Sequence, residues 1–229
     1  MTKKGALLYQ GKTKKVFETK DPERVILECA ARGAQNNAVS AKLFRVLESK
    51  GVATHFEQLL SEQEMLVKKL AMIPVQVTIR NRVAGGMTKL FGLEEGAALA
   101  CPVYELHEKS DPLGNPLINE HHLLGLKIAT EDELKVIRER SFQVNNILRP
   151  FFEERELELI DFTLEFGRAK GKIFLGDELS LESCRLWEIG TGKKLDKDQL
   201  QLGLLDGEVT YQDVLDRVLK DGWTSATKK

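Results

Sequence analysis

The sequence predicts an α+β fold in two lobes, built from antiparallel sheets and helices. Three observations carry this. Strand-like segments crowd residues 7–80, a long amphipathic helix begins near residue 130, and a glycine-joined strand pair follows it. That order disfavours a doubly wound parallel sheet, in which strands and helices alternate. Residues 1–80 are expected to form a mainly β lobe, and residues 81–229 an α+β lobe.

Segments 7–9 and 15–19 flank Gly11-Lys12-Thr13-Lys14, which reads as strand, turn, strand. Residues 24–29 form a short apolar strand. Residues 36–50 read as a helix, with Val39, Leu43, Val46 and Leu47 on one stripe and Gly51 as its stop. Strands are predicted at 54–59, 64–70 and 75–80, broken by residues 61–63 and by Ile73-Pro74. The clearest helix spans 130–154. Thr130 and Glu133 make a capping box, apolar residues recur from Leu134 to Phe151, and Pro150 kinks or ends it. Strands at 158–166 and 172–178 follow, joined by 167–171, and an amphipathic helix at 207–220 closes the chain. Residues 112–116 are a loop, and residues 224–229 a frayed tail.

With 34 basic and 35 acidic residues, the net charge is -1. No global positive field draws nucleic acid or an anionic membrane, so any anion site must be built locally. Cys29, Cys101 and Cys184 are few and widely spaced, which fits a reducing compartment. No apolar run is long enough to span a membrane, and the first residues lack a signal-peptide pattern, so a cytoplasmic setting is expected.

Four segments carry chemistry. In Gly11-Lys12-Thr13-Lys14-Lys15 a glycine turn and lysines could approach a phosphate, although the Walker A spacing is absent. Taken alone, those residues read more readily as an exposed basic hairpin. In the segment 80–89, Arg80 precedes Gly85-Gly86, where a guanidinium and backbone N–H groups could meet one anion; a surface salt bridge is the alternative. Strand alternation puts Asp161, Thr163 and Glu165 on one face, and Asp177 ends the next strand. Some registers of that hairpin bring Glu165 and Asp177 together for a cation; others leave a solvated polar face. Arg185 could neutralise a substrate phosphate or pack on Trp187. The histidines His55, His107, His121 and His122 form no recognisable pattern.

Taken in order, the segments GKTKKVFET, NN, THF, LSEQEMLVKKL, IPVQVTIRNRVAGG, FGLEEG, LINE, LIDFTLEFGR, LGDE, SCRLW and GKKLDKD resemble the SAICAR synthetase family over nearly the whole chain. The resemblance implies two lobes around an ATP cleft, with a nucleotide-binding part similar to protein kinases. It implies ligation of L-aspartate to carboxyaminoimidazole ribonucleotide with ATP and Mg²⁺. By the same resemblance, Gly11, Lys12 and Lys14 cover the phosphates, with Lys14 also catalytic. Lys68 lies near the adenine and Lys109 near the ribose. Glu165 and Asp177 hold Mg²⁺–ATP and serve catalysis. Arg80, Gly86, Asp161 and Arg185 bind the ribonucleotide. A homodimer is entertained; nucleic acid and membrane are not expected as partners.

The chain departs from that family at three places. Residues 30–35 are shorter than the usual acidic loop, through a true deletion or a mobile loop absent from this sequence. Gly86 stands where serine is common, with Thr88 as a substitute hydroxyl, and Asn115 replaces a usual aspartate. A small-molecule kinase and a catalytically weakened nucleotide-binding protein are the competing readings.

Overall fold

In the computed structural model, residues 2–11, 14–29, 33–195 and 207–220 are described. The chain makes two antiparallel sheets. The first contains β1 (Leu7–Gln10), β2 (Lys14–Glu18), β3 (Arg24–Cys29), β4 (Phe56–Leu59) and β5 (Glu64–Lys68), in the order β1-β2-β3-β5-β4. The second contains β6 (Ala71–Arg82), β7 (Ala98–Glu108), β8 (Leu117–Ile118), β9 (Leu157–Ala169), β10 (Lys172–Gly176) and β11 (Cys184–Glu188). Its order is β10-β9-β6-β7-β8, with β11 also paired to β9. The change of sheet falls between Lys68 and Ala71, and residue 80 lies inside β6.

Helix α1 (Ala34–Ser49) buries Val39, Leu43 and Leu47 of the stripe read from the sequence together with Phe44, while Val46 of that stripe is only half-buried. Phe44 stacks on Phe56 of β4 at 6.1 Å between ring centroids. The Asn36-Asn37 pair anchors the start of this helix. Asn37 Nδ2 donates to the Glu62 carbonyl at 3.0 Å, and Asn36 Oδ1 accepts from the Tyr211 hydroxyl of α5 (Gly207–Leu219). Short helices α2 (Gly86–Phe91) and α3 (Glu120–Gly125) precede α4 (Glu131–Glu153), which packs on the second sheet through Leu134, Ile137, Val144 and Leu148.

Thr130 and Glu133 form the expected capping box on α4, and Pro150 sits within its last turn. Strand β9 outruns its predicted end because Gly167 continues the pleat; a Cβ there would lie 2.8 Å from the Leu70 Cβ, so glycine lets the inter-sheet link cross. The β9–β10 turn is confined to Lys170-Gly171, both at positive φ (49° and 71°), as tight hairpin turns require. Strands β10 and β11 pair successively along one edge of β9, while β6 takes the other. The excursion between them, residues 177–183, therefore opens at the middle of β9. Among the described residues, no helix is long and apolar enough to cross a membrane.

Candidate active site

Register builds the site. Gln76, Thr78 and Arg80 of β6 lie opposite Glu165, Thr163 and Asp161 of β9. On the other edge of β9, Arg185 of β11 lies opposite Asp161, and Gly176 of β10 opposite Glu165. Directly opposed residues share a face, so one face of β9 carries Asp161, Thr163 and Glu165 with their polar neighbours.

Two cavities open along this face. The larger, about 950 Å³, lies between the sheets. Leu8, Val16, Val25 and Leu27 line an apolar part, and Lys14, Lys68, Lys109, Glu165, Asp177 and Glu178 a charged part. Gly11 also borders it, while Lys12 lies outside the described residues, as do residues 30–32 of the shortened segment. The smaller cavity, about 180 Å³, is lined by Arg80, Gly86, Asp161, Arg185, His107 and Thr163, among others.

In the larger cleft two of the carboxylates each meet a lysine. Lys14 Nζ pairs with Asp177 Oδ1, and Lys109 Nζ with Glu165 Oε2 at 2.6 Å. Burial alone would raise the Asp177 carboxyl, but the Lys14 ammonium outweighs this and holds it low. Glu165 is pushed up by burial and by the charge of Asp177, with Lys109 opposing. Lys68 Nζ bonds the Thr54 carbonyl at 3.4 Å and lies 5.7 Å from the Phe174 ring centre.

Asp177 does not reach this face by simple alternation. Gly176 is the residue opposite Glu165, and Leu175 on the other face is buried in the core. A continued pleat would send Asp177 toward the Leu175 side. Its backbone instead turns left-handed at φ 57°, and its carboxylate lines the cleft beside Glu165.

In the smaller cavity Arg80 and Arg185 close on one oxygen, Asp161 Oδ2, at 2.6 and 2.5 Å. Burial raises the Asp161 carboxyl and both guanidiniums oppose it. Gly85, at φ 57° and ψ -131°, lets the Arg185 guanidinium lie against the backbone; a Cβ there would meet Arg185 Nη1 and Nη2 at 3.1 Å. Lys194 lies over the Trp187 ring at 5.6 Å. A Cβ on Gly86 would meet nothing within 4 Å. The Thr88 hydroxyl donates to the Gly85 carbonyl at 2.7 Å and is not among the cavity's lining, so it does not stand in for a hydroxyl at residue 86.

Several polar residues of the site were not singled out from sequence. Glu105 of β7 accepts from Arg80 Nε at 2.8 Å and lies 3.3 Å from His107 Nε2. Burial would raise Glu105, but His107 and Arg80 hold it low. His107 Nδ1 lies 3.2 Å from the Asn115 carbonyl, and Asn115 itself is left-handed at φ 51° with its side chain accepting from Ser110 N. Alternation in Tyr104-Glu105-Leu106-His107 signals this strand, but Pro102 interrupts it. Glu178, raised by burial, borders the cleft and accepts from Ser180 Oγ. His55 is fully buried, its ring pushed down to about 3 by desolvation.

Comparisons with known proteins agree with one another. The family model for SAICAR synthetase matches residues 28–218. Phosphoribosylaminoimidazole-succinocarboxamide synthase of Chlorobium luteolum is 45% identical, covering 96% of this chain and 98% of that protein. The crystal structure of the same-named enzyme from Ehrlichia chaffeensis superposes with a TM-score of 0.89 at 36% identity, over 93% of this chain and 98% of that one. A SAICAR synthetase solved in complex with ADP gives 0.89 at 34% identity, over 96% of this chain and all of that one (100%). The described fold, the paired cavities and these likenesses together place the chain in the SAICAR synthetase family.

Proposed function

We propose that this chain is the ATP-dependent ligase that joins L-aspartate to carboxyaminoimidazole ribonucleotide, releasing SAICAR, ADP and phosphate. One observation carries the reading. A large cleft, part apolar and part charged, abuts an arginine-lined cavity along a single face of β9.

The chemistry follows from that adjacency. A carboxylate resists amine attack because oxide is a poor leaving group. Transfer of the γ-phosphoryl group to the carboxylate oxygen makes an acyl phosphate. The aspartate amine then attacks the acyl carbon, phosphate leaves with the C–O bonding pair, and the amide forms. Such transfer depends on positioning and charge neutralisation. The apolar part of the cleft would take the adenine, with Lys68 at its border. Lys14 and Lys109, now paired to carboxylates, can turn to phosphate oxygens. Arg80, held by Glu105, and Arg185, held against Gly85, would meet the acidic groups of the ribonucleotide, where planar guanidinium forks suit carboxylate and phosphate.

The charged part of the cleft suits a hard divalent cation. Two carboxylates crowd one site, and the charge of Asp177 pushes Glu165 up. Among the described residues no group of three or more His, Cys, Asp or Glu could hold a metal by itself, which fits an ion completed by nucleotide oxygens. Glu165 and Asp177 would hold Mg²⁺, which when bound offsets charge on the transferring phosphoryl group.

The test is ADP release with ATP, Mg²⁺ and carboxyaminoimidazole ribonucleotide, with and without L-aspartate. Aspartate-dependent release matched by the succinocarboxamide product is expected. Release that does not depend on aspartate would instead mark a kinase or an acyl phosphate that hydrolyses without amide formation.

A further inference from the structure

The face of β9 that joins the two cavities has an uncharged middle. Asp161, with its two arginines, stands at one end and Glu165 at the other, and Thr163 lies between them. Thr78 of β6 is directly opposite Thr163, and Gln76 directly opposite Glu165. Thr78, Thr163 and Gln76 all line the smaller cavity, and Glu165 borders the larger. Thr78 is only 4% exposed, yet among the described residues neither threonine hydroxyl nor the Gln76 amide has a hydrogen-bond partner. A polar side chain as deep as Thr78 is ordinarily hydrogen-bonded, so this ledge is open to a ligand. Opposed residues on neighbouring strands have Cβ atoms about 5 Å apart, close enough for both hydroxyls to meet one oxygen atom.

We propose that the Thr78 and Thr163 hydroxyls hold the reacting carboxylate of carboxyaminoimidazole ribonucleotide, while the phosphate of that substrate lies on Arg80 and Arg185. This rests on the ligase reading of the paired cavities. The reacting carboxylate must lie between the arginines and the phosphoryl group of the nucleotide. The threonine pair occupies that interval, since successive same-face residues of a strand are about 7 Å apart. The donor type fits as well. A guanidinium fork engages both oxygens of a carboxylate and lowers their nucleophilicity. Two hydroxyls on one oxygen leave the other free to attack the γ-phosphorus, and ADP departs with the P–O bonding pair. The hydroxyl-bound oxygen becomes the carbonyl oxygen of the acyl phosphate. When the aspartate amine adds, that oxygen takes the displaced π pair. It returns the pair as phosphate leaves, and the surplus amine proton passes to solvent. Hydroxyl donors placed there stabilise the charge as it develops.

The experiment is calorimetric titration of the full chain with carboxyaminoimidazole ribonucleotide and, separately, with aminoimidazole ribonucleotide, which lacks the carboxylate. Valine keeps the branched shape of threonine without the hydroxyl, and serine keeps the hydroxyl. Thr163→Val and Thr78→Val are each expected to weaken the carboxylated ligand at least about tenfold and to leave the decarboxylated one within about twofold, as for a lost hydrogen bond to a charged group. Thr163→Ser is expected to stay within about threefold of the parent for both ligands. An equal loss for both ligands in the folded valine variants, or no loss for either, overturns the proposal. So does a Thr163→Ser that loses as much as Thr163→Val. Should Thr78→Val fail to fold, Thr163→Val decides: a loss confined to the carboxylated ligand upholds the proposal, and any other result overturns it. Succinocarboxamide formation by the parent is measured alongside. A parent that binds neither ribonucleotide and forms no product overturns the ligase reading itself and this proposal with it.

Discussion

Arg80 and Arg185 approach one oxygen of Asp161 from opposite edges of β9, at 2.6 and 2.5 Å. The shared carboxylate keeps two guanidiniums close enough to act on one ligand. Asp161→Asn preserves the shape and removes that charge. Both side chains of the Arg80–Asp161 pair are nearly buried, at 9% and 8% exposure, so breaking it should cost about 3 kcal/mol of stability. Urea unfolding at pH 7 measures this. Unchanged stability would mean that Glu105 alone suffices to hold Arg80.

Arg185→Lys replaces a planar fork by a point charge. The KM for the ribonucleotide should rise about tenfold, while that for ATP stays nearly constant. Steady-state kinetics with each substrate varied in turn decides it. An effect confined to ATP would remove Arg185 from the ribonucleotide pocket.

The larger cleft makes a different demand. Asp177→Asn removes an anionic oxygen while tolerating the left-handed backbone, since asparagine enters that region readily. Turnover should fall strongly, and the Mg²⁺ concentration for half-maximal rate should rise at least about tenfold. An unchanged Mg²⁺ dependence would separate Asp177 from the metal.

What the sequence disclosed and withheld has a physical pattern. The capping box of Thr130 and Glu133 was legible because it is local, three residues apart within one turn. Arg80, Asp161, Glu165, Asp177 and Arg185 stood out by residue type and order, and the resemblance assigned them roles. Their meeting was not legible, because it depends on the β6–β9 and β9–β11 registers, which connect residues 81 and 24 positions apart. Glu105 and His107 hid in β7, where Pro102 sits beside a register shift and blurs the alternation. Asp177 shows the limit most clearly, since pleat alternation sends it to the wrong face and only its φ of 57° corrects this.

Neighbouring glycines at the arginine pocket should respond in opposite ways. Gly85→Ala places a Cβ 3.1 Å from Arg185 Nη1 and Nη2 at φ 57°, and the strained backbone should cost about 1–3 kcal/mol. Gly86→Ser enters open space and should change stability by no more than about 0.5 kcal/mol. A new hydroxyl bond to the ribonucleotide would lower its KM about fivefold, corresponding to roughly 1 kcal/mol. A raised KM in Gly86→Ser would show that the open space is needed by the ligand itself.

Glu133 links the start of α4 to β9, accepting from Arg168 Nε at 2.6 Å and from Thr130 N at 2.9 Å. The Arg168 bond is the main cause that holds its carboxyl down to about 2, below the ordinary value near 4.5. The unfolded chain therefore binds the proton more readily between those values. Stability from this group is present above pH 4.5 and is lost as pH falls toward 2. Glu133→Gln keeps a capping-box side chain but lacks the charge. The pair is solvated, so at pH 7 the variant should be less stable by only about 1 kcal/mol. Urea midpoints measured from pH 7 down to about 3 should show that gap narrowing as Glu133 protonates. A gap that stays constant with pH would assign the loss to hydrogen-bond geometry instead of charge.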